Sequence, residues 1–532
     1  MHKSNIQTFS SISLIFMFLL MIYAPPIKTL FTPKADLTKI EKRKPAAMPE
    51  LRFDKEAIEA FPSRFEEYYN DHFGFRDSLI HWHNYIKTKW LAKSPVPKVM
   101  IGRDDWLFYK HAPDKIMEDL HGENPFTHSE LKAFRLNLEN KRDWLAGQDI
   151  HYLFVAAPNK HSIYPEYIPA ARLKKKGVTR LDQLVGYLNE HSDIQILDLR
   201  DVLRKAKIHN RLYFPTDTHW NDLGAFVAYK SIMGRISQWF PQEKVLDYEC
   251  FDESVKHSTD GELAIMLGLP DSFPGDRLLL KLRSPCSKKQ DLDLALESVN
   301  VREKFLMRCE KASLCAVVFR DSFFTRIVPF LSEHFGRISY IWGYYDQAIY
   351  NHAIMKELIR QDRPDIVIEE QGERLLAYPA SLDEELADDL QRNRFNGSIN
   401  TVLLVNRDKG YDGIHSLHQM SVLSDPRGLI LRSTGNDSYF SLPLLGLSPT
   451  AALVIRVVIT SPKDTDLQLY YCSESVPFHT EEQSIHRAIR KGFNEVFFQP
   501  PGKDLCGHLR LDIGRTSGEF LLHTIEVRGL KD

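Results

Sequence analysis

The hydrophobic pattern of this chain changes period once, near residue 395, and that change limits the fold more than any motif does. Before it, short continuous apolar runs alternate with helical spacing. The runs are Tyr152–Ala157, Ile194–Asp198, Leu314–Phe319, Ile338–Trp342 and Asp365–Glu369, with helical stretches at 221–240, 324–335 and 350–361. Strands apolar on both faces, each followed by a helix, predict an α/β domain: a doubly wound parallel sheet with helices on both faces. After residue 395 apolar and polar residues alternate instead, in Thr401–Val405, Gly428–Arg432, Ala452–Ile459, Leu467–Tyr471, Glu495–Phe498, Leu509–Ile513 and Phe520–Val527. That period predicts an all-β sandwich, jelly-roll-like, over 395–532. The α/β domain then occupies 54–385, and its helical lead-in over 54–92 breaks at Phe73-Gly74-Phe75.

The N-terminus adds a constraint. From Ile12 to Ala24 the chain is almost wholly apolar, and the stretch extends to Phe31. Near 20 residues suffice to span a bilayer. No small-residue cleavage site precedes Pro25-Pro26, so residues 1–31 read as a signal anchor, with a cleaved signal as the alternative. A Lys- and Pro-rich linker, 32–53, follows, and the rest of the chain lies outside the cytoplasm. Such a compartment permits disulfides. The six cysteines are 250, 286, 309, 315, 472 and 506, and spacing does not choose their pairing or exclude free thiols. A formal net charge of -2 speaks against a nucleic-acid partner. No Cys-x-x-Cys pair or His-rich cluster argues for a metal.

Two segments carry the chemistry: Tyr213–Asn221 and Val317–Phe324. The first places Asp217 two residues before His219, and the second places Ser322 just beyond an apolar strand. A serine hydroxyl needs a base within hydrogen-bond reach, and that base needs an orienting carboxylate. Ser322 is expected as nucleophile, His219 as base and Asp217 as its partner. The backbone N–H of Ser322 is expected near a helix N-terminus, where it would face an oxyanion. Each piece has a plainer alternative: Ser322 as a helix cap, Asp217 and His219 as a structural pair, or Asp217, His219 and Asn221 as a metal-ligand fragment. In parallel sheets working residues sit past the carboxyl ends of strands. Asn159 and Lys160 fall there, the first a candidate oxyanion donor and the second a candidate substrate contact.

With the strings Asp71–Arg76, Gly102–Tyr109, Pro158–Lys160, Ile163–Glu166, Pro364–Glu369 and Glu373-Arg374, the two segments resemble the alginate O-acetyltransferase family of AlgJ/AlgX type over residues 50–380. The resemblance implies an SGNH-hydrolase-like fold and an acetyl-serine at Ser322, with the acetyl group passed to an exported polysaccharide. It implies a periplasmic protein held at the inner membrane, no cofactor, and a membrane-bound acyltransferase as acetyl donor. Some members carry a carbohydrate-binding β-sandwich, which residues 395–532 match in position and pattern; its Tyr439 and Tyr471, together with Tyr411, Phe440 and Tyr470, are candidate sugar contacts or else core residues, and Lys174–Lys176 is a candidate contact for an acidic polymer or else a solvated face. The chain departs from the family pattern at Arg320, where glycine usually precedes Asp-Ser. The same triad also suits a carbohydrate acetyl-esterase, and a relict triad suits an inert polysaccharide-binding scaffold.

Overall fold

The computed structural model describes residues 2–31, 44–173, 177–294, 301–343, 350–378, 381–411, 414–442, 445, 452–473, 476–500, 505–514 and 517–530. Lys174–Lys176 and the first part of the expected linker, 32–43, lie outside these described residues. The chain divides into two compact units, one of residues 1–128 with 153–379 and the other of 129–152 with 380–532.

The first unit is built on a seven-stranded sheet. Its strands are β1 (His151–Ala157), β2 (Leu197–Asp198), β3 (Lys288–Gln290), β4 (Glu303–Arg308), β5 (Leu314–Arg320), β6 (Phe335–Trp342) and β7 (Ile366–Gly372). Their order is β2-β1-β7-β5-β6-β4-β3. The five runs expected as strands are β1, β2, β5, β6 and β7. Parallel pairing joins β1 to β2, β7 to β5 and β6 to β5. The sheet is mixed, however, and not wholly parallel: β4 pairs antiparallel with β6, and β3 with β4. These two strands are short and charged, with Lys288, Lys289 and Gln290 all exposed on β3, as suits an edge that must not recruit another strand.

The helix Asp222–Trp239 matches expectation, and so does His352–Asp362, whose cap Asn351 accepts a hydrogen bond from the Ile354 N–H at 3.0 Å. The expected helix over 324–335 is instead a 3-10 turn (Phe323–Arg326), one short helix (Val328–Leu331) and a second 3-10 turn (Ser332–His334). Pro329 supplies the reason. A continuous helix would need its missing N–H and would press its ring on the Thr325 carbonyl.

The lead-in forms the helices Lys55–His72 and Arg76–Tyr85, separated at the expected break and extended by a π turn, Ile86–Trp90. The helix His2–Phe31 contains a 19-residue stretch, Ser11–Thr29, long and apolar enough to cross a membrane.

The second unit holds two antiparallel sheets. One runs Met420–Asp425, Gly428–Ser433, Gly518–Gly529, Leu453–Ser461, Gly492–Phe498, with Asn400–Asn406 also on Gly518–Gly529. The other runs His415–His418, Tyr439–Ser441, Leu505–Asp512, Thr465–Ser473, Ser484–Ile489. Inward residues of both, among them Ile455, Val457, Leu469, Leu511 and Phe520, form one buried cluster. Disulfides join Cys286 to Cys309 and Cys472 to Cys506, while Cys250 and Cys315 are free.

Candidate active site

The segment Tyr213–Asn221 is a loop pinned from within. Tyr213 is wholly buried and its hydroxyl donates to the Pro158 carbonyl at 2.7 Å. Trp220 is also wholly buried, and its indole N–H donates to the Phe323 carbonyl at 3.0 Å. Asn221 caps the helix Asp222–Trp239, accepting from the Gly224 N–H at 2.9 Å. With apolar and capping positions committed inward, His219 is left on the open side, with Asp217 buried behind it.

Lys160, only 2% exposed, holds this loop from beneath. Its Nζ donates to the carbonyls of Phe214, Pro215 and Asp217 at 3.0, 3.0 and 2.6 Å. Burial pushes the ammonium down to about 7, and the charge of Asp217 acts in the opposite direction. All three donors of Lys160 are thus spent on the backbone, and it stands as a support of the loop where the sequence suggested a substrate contact.

Ser322 sits where β5 ends, and its turn is equally constrained. The Asp321 carboxylate accepts from the Phe323 N–H at 2.7 Å and the Gly372 N–H at 3.2 Å, while the Asp321 N–H donates to Glu370 at 3.0 Å. A Cβ on Gly372 would lie 2.6 Å from Asp321 Oδ2, so only glycine allows this approach. Arg320, 1% exposed, donates to the Asp321 carbonyl (3.0 Å), Thr325 Oγ1 (3.1 Å) and Glu303. Its side chain spans from Glu303 to Thr325 and braces the serine turn, so an arginine fits directly before Asp-Ser. Burial, with the charge of Asp321, pushes the Glu370 carboxyl well above its ordinary value.

These two frames bring the expected residues together. His219 Nε2 lies 2.9 Å from Ser322 Oγ, and His219 Nδ1 lies 2.8 Å from Asp217 Oδ1. Burial alone would raise the Asp217 carboxyl. The hydrogen bond and charge of His219, with Arg277 at 3.5 Å, outweigh it and hold Asp217 below the usual carboxylate range. Asp217, His219 and Glu262 have ligand atoms within 4.8 Å of one another and could be read as a metal site. Both ring nitrogens of His219 are already engaged, and Asn221 is the helix cap, which leaves the metal-fragment reading without its imidazole or its amide.

The triad opens on a cavity of about 360 Å³. Lys98, Arg302, Arg374, Tyr109, Trp342 and Tyr378 are among its walls. Arg374, just past β7, was legible only as part of a family string, yet its Nη2 lies 3.5 Å from Ser322 Oγ. Asp114 steadies that wall: Arg374 Nε is 4.0 Å from it, and the Tyr378 hydroxyl donates to it at 2.8 Å.

Asn159, the expected oxyanion donor, is buried and is not among the residues lining this cavity. Its N–H donates to Glu373 at 2.8 Å, and it opens the short helix Lys160–Ile163. In the second unit Tyr471 is buried in the core, as is Phe440, and neither can meet a sugar. Tyr439 is half-buried, with the Arg510 guanidinium 3.6 Å from its ring centre and 4.8 Å from that of Tyr470. Tyr411 is half-buried and packs on the core.

Sequence comparison covers only part of this geometry. Residues 99–287 match the family model described as the SGNH hydrolase-like domain of acetyltransferase AlgX, which includes Asp217 and His219 and ends before Ser322. Two curated relatives, each named a probable alginate O-acetylase AlgJ, come from Pseudomonas putida and Pseudomonas syringae pv. tomato. They are 26% and 28% identical over 145 and 147 residues. Those alignments cover 27% and 28% of this chain and 34% and 35% of the relatives, so the chain spans about a third of their length. The solved O-acetyltransferase domain of Pseudomonas putida AlgJ is 17% identical, covering 55% of this chain and 99% of that one, with a TM-score of 0.37. On the family model, residues 99–287 are similar to the SGNH hydrolase-like domain of acetyltransferase AlgX.

Proposed function

We propose that this chain is an O-acetyltransferase that moves an acetyl group through acetyl-Ser322 onto hydroxyls of an exported polysaccharide, alginate-like or another exopolysaccharide. The observation that carries the reading is the continuous line from Asp217 through His219 to Ser322 Oγ, at 2.8 and 2.9 Å, opening on a cavity. His219 Nε2 takes the Ser322 proton as Oγ bonds the acetyl carbon of the donor, and returns it to the departing donor oxygen. A sugar hydroxyl then gives its proton to Nε2 and bonds the same carbon, and Ser322 Oγ leaves with that proton. Asp217 keeps the Nδ1–H oriented and balances the imidazolium. Arg374 is the side chain best placed to face the oxyanion of each tetrahedral intermediate.

The names of the curated relatives support acetyl transfer to a polysaccharide. In this reading Ser11–Thr29 anchors the chain in the inner membrane, with the catalytic domain in the periplasm and a membrane-bound acyltransferase as donor. The second unit is a jelly-roll-like sandwich that holds the polymer, with Tyr439 as a sugar contact. The test is mass spectrometry after incubation with an activated acetyl ester, with and without oligosaccharide. An acetyl adduct on Ser322, discharged onto the sugar, is expected. An adduct elsewhere removes the nucleophile assignment, and acetate release indifferent to any sugar makes the protein an esterase.

A further inference from the structure

The helix Arg76–Tyr85 and its continuation Ile86–Trp90 are oriented opposite to an ordinary surface helix. Leu79, Trp82, Ile86 and Trp90 follow one another at spacings of one helical face and are 57, 59, 38 and 74% exposed. Leu91 extends the stripe. The inner face is mixed: Asn84 and Thr88 are buried, Asn84 Nδ2 donates to the Leu267 carbonyl at 2.8 Å, and Tyr85 packs on the cluster of Leu263 and Leu267. The helix is fastened by these few residues and leaves its most apolar stripe facing outward, where an amphipathic surface helix would turn it to the core.

Two observations say what covers the stripe. The first is continuity with the apolar N-terminal helix. Thr29 Oγ1 donates to the His72 carbonyl at 3.2 Å, and Lys28 Nζ lies 4.3 Å from the Phe75 ring centre. A Cβ on Gly74 would sit 2.6 Å from the Pro25 carbonyl oxygen, so the break at Phe73-Gly74-Phe75 is shaped to receive the end of that helix. The exposed stripe starts one residue turn further on. The second is charge: residues 76–93 carry Arg76, Lys87, Lys89 and Lys93 against Asp77 alone, and of these Lys89 turns inward to Asp105 at 2.8 Å. Tryptophans with flanking lysines suit the headgroup layer, where indoles sit between water and hydrocarbon and cations meet anionic lipids.

We infer that the helix over residues 76–91 lies in the headgroup layer of the bilayer, with Leu79, Trp82, Ile86 and Trp90 inserted and Lys87 and Lys93 at the lipid phosphates. This rests on the reading of Ser11–Thr29 as a membrane span. A shallow helix fixed to the foot of the span restrains the first unit at the membrane surface.

The test reconstitutes the full chain in nanodiscs of phosphatidylcholine and phosphatidylglycerol containing a phosphatidylcholine with a photoactivatable diazirine near the head of one acyl chain. Lipid adducts are mapped by mass spectrometry. Adducts are expected both within Ser11–Thr29 and over Leu79–Leu91. In the double variant Trp82→Ser, Trp90→Ser the second set should fall about tenfold relative to the first. Adducts confined to Ser11–Thr29 overturn the inference and leave the span intact, and the stripe then belongs to a protein partner. A second set undiminished in the double variant overturns it as well. Adducts in neither region, with the protein released by alkaline carbonate, overturn the span reading itself.

Discussion

Both units bury an apolar core, but they differ in where their buried charged residues gather. In the second, strand alternation sends aliphatic and aromatic side chains into one cluster and leaves most ion pairs, such as Arg432–Glu519 and Arg427–Asp425, on the surface. In the first, Lys160, Arg320, Asp321, Glu370 and Glu373 are all at most 3% exposed, and they surround the turn and loop that carry Ser322 and His219. Burying a charged group costs several kcal/mol unless it is paired or bonded. In the first unit that cost gathers around the site, whereas in the second it falls on single residues such as Arg487, bonded to the Phe497 carbonyl and Gln391, and Glu526, bonded to Arg528. The contrast separates a region organised to hold geometry from one organised to fold.

The comparison breaks or sharpens through four outcomes. The largest effect is expected at the site itself. Ser322→Ala or His219→Ala lowers turnover of a chromogenic acetyl ester by about a thousandfold or more, with thermal unfolding little changed. Substitution in the apolar core of the second unit comes next: Ile455→Ala removes about 3 kcal/mol of that unit's stability in denaturant titration and leaves acetyl-ester turnover within about twofold. Turnover that fell in step with stability would merge the two regions. Lys160→Met withdraws three hydrogen bonds from the loop of Asp217. Turnover then drops by about thirtyfold, since a small displacement of His219 costs reactive geometry.

The smallest effect is read in pH. Burial raises the Glu373 carboxyl from its ordinary 4.5 to about 7, against Ser162 and Arg200, which lower it. The proton is held more tightly in the folded chain than in the unfolded one. This contribution is complete below pH 4.5 and fades as pH rises through about 7. Glu373→Gln keeps the neutral shape, so the fall in stability between pH 4.5 and 7 flattens, by on the order of 1–2 kcal/mol in denaturant midpoints. A slope unchanged by the substitution would show that the buried carboxyl is not what titrates.

Much of the site was legible in residues close together in sequence. Asp217 and His219 are two apart, and Trp220 and Asn221 beside them follow from core and capping preferences. The strand before Ser322 was legible as a continuous apolar run. Arg374 and Asp114 were not, because nothing local marks them: Arg374 stands 52 positions from Ser322, and Tyr378 stands 264 from Asp114. The edge strand β3 and its neighbour β4 lacked apolar periodicity. Tyr470 and Tyr471 illustrate a further limit. Adjacent strand residues point to opposite faces, but which of the pair points inward depends on what the sheet packs against. Tyr471 took the core and Tyr470 the surface.

By itself the sequence determined the local periods: an apolar helix at the start, buried strands between helices in the middle, alternating strands at the end, and the residue types of a triad. These follow from interactions reaching only a few residues along the chain. The tertiary structure decided what depends on distant segments meeting. It made Lys160 the support of the loop, set Arg374 and not Asn159 beside Ser322, accommodated Arg320 by bonding it to Glu303 and Thr325, and paired Cys286 with Cys309 and Cys472 with Cys506. A side chain's chemistry is set by its identity, but its partner is set by which backbone arrives beside it, and only the folded sheet delivers that.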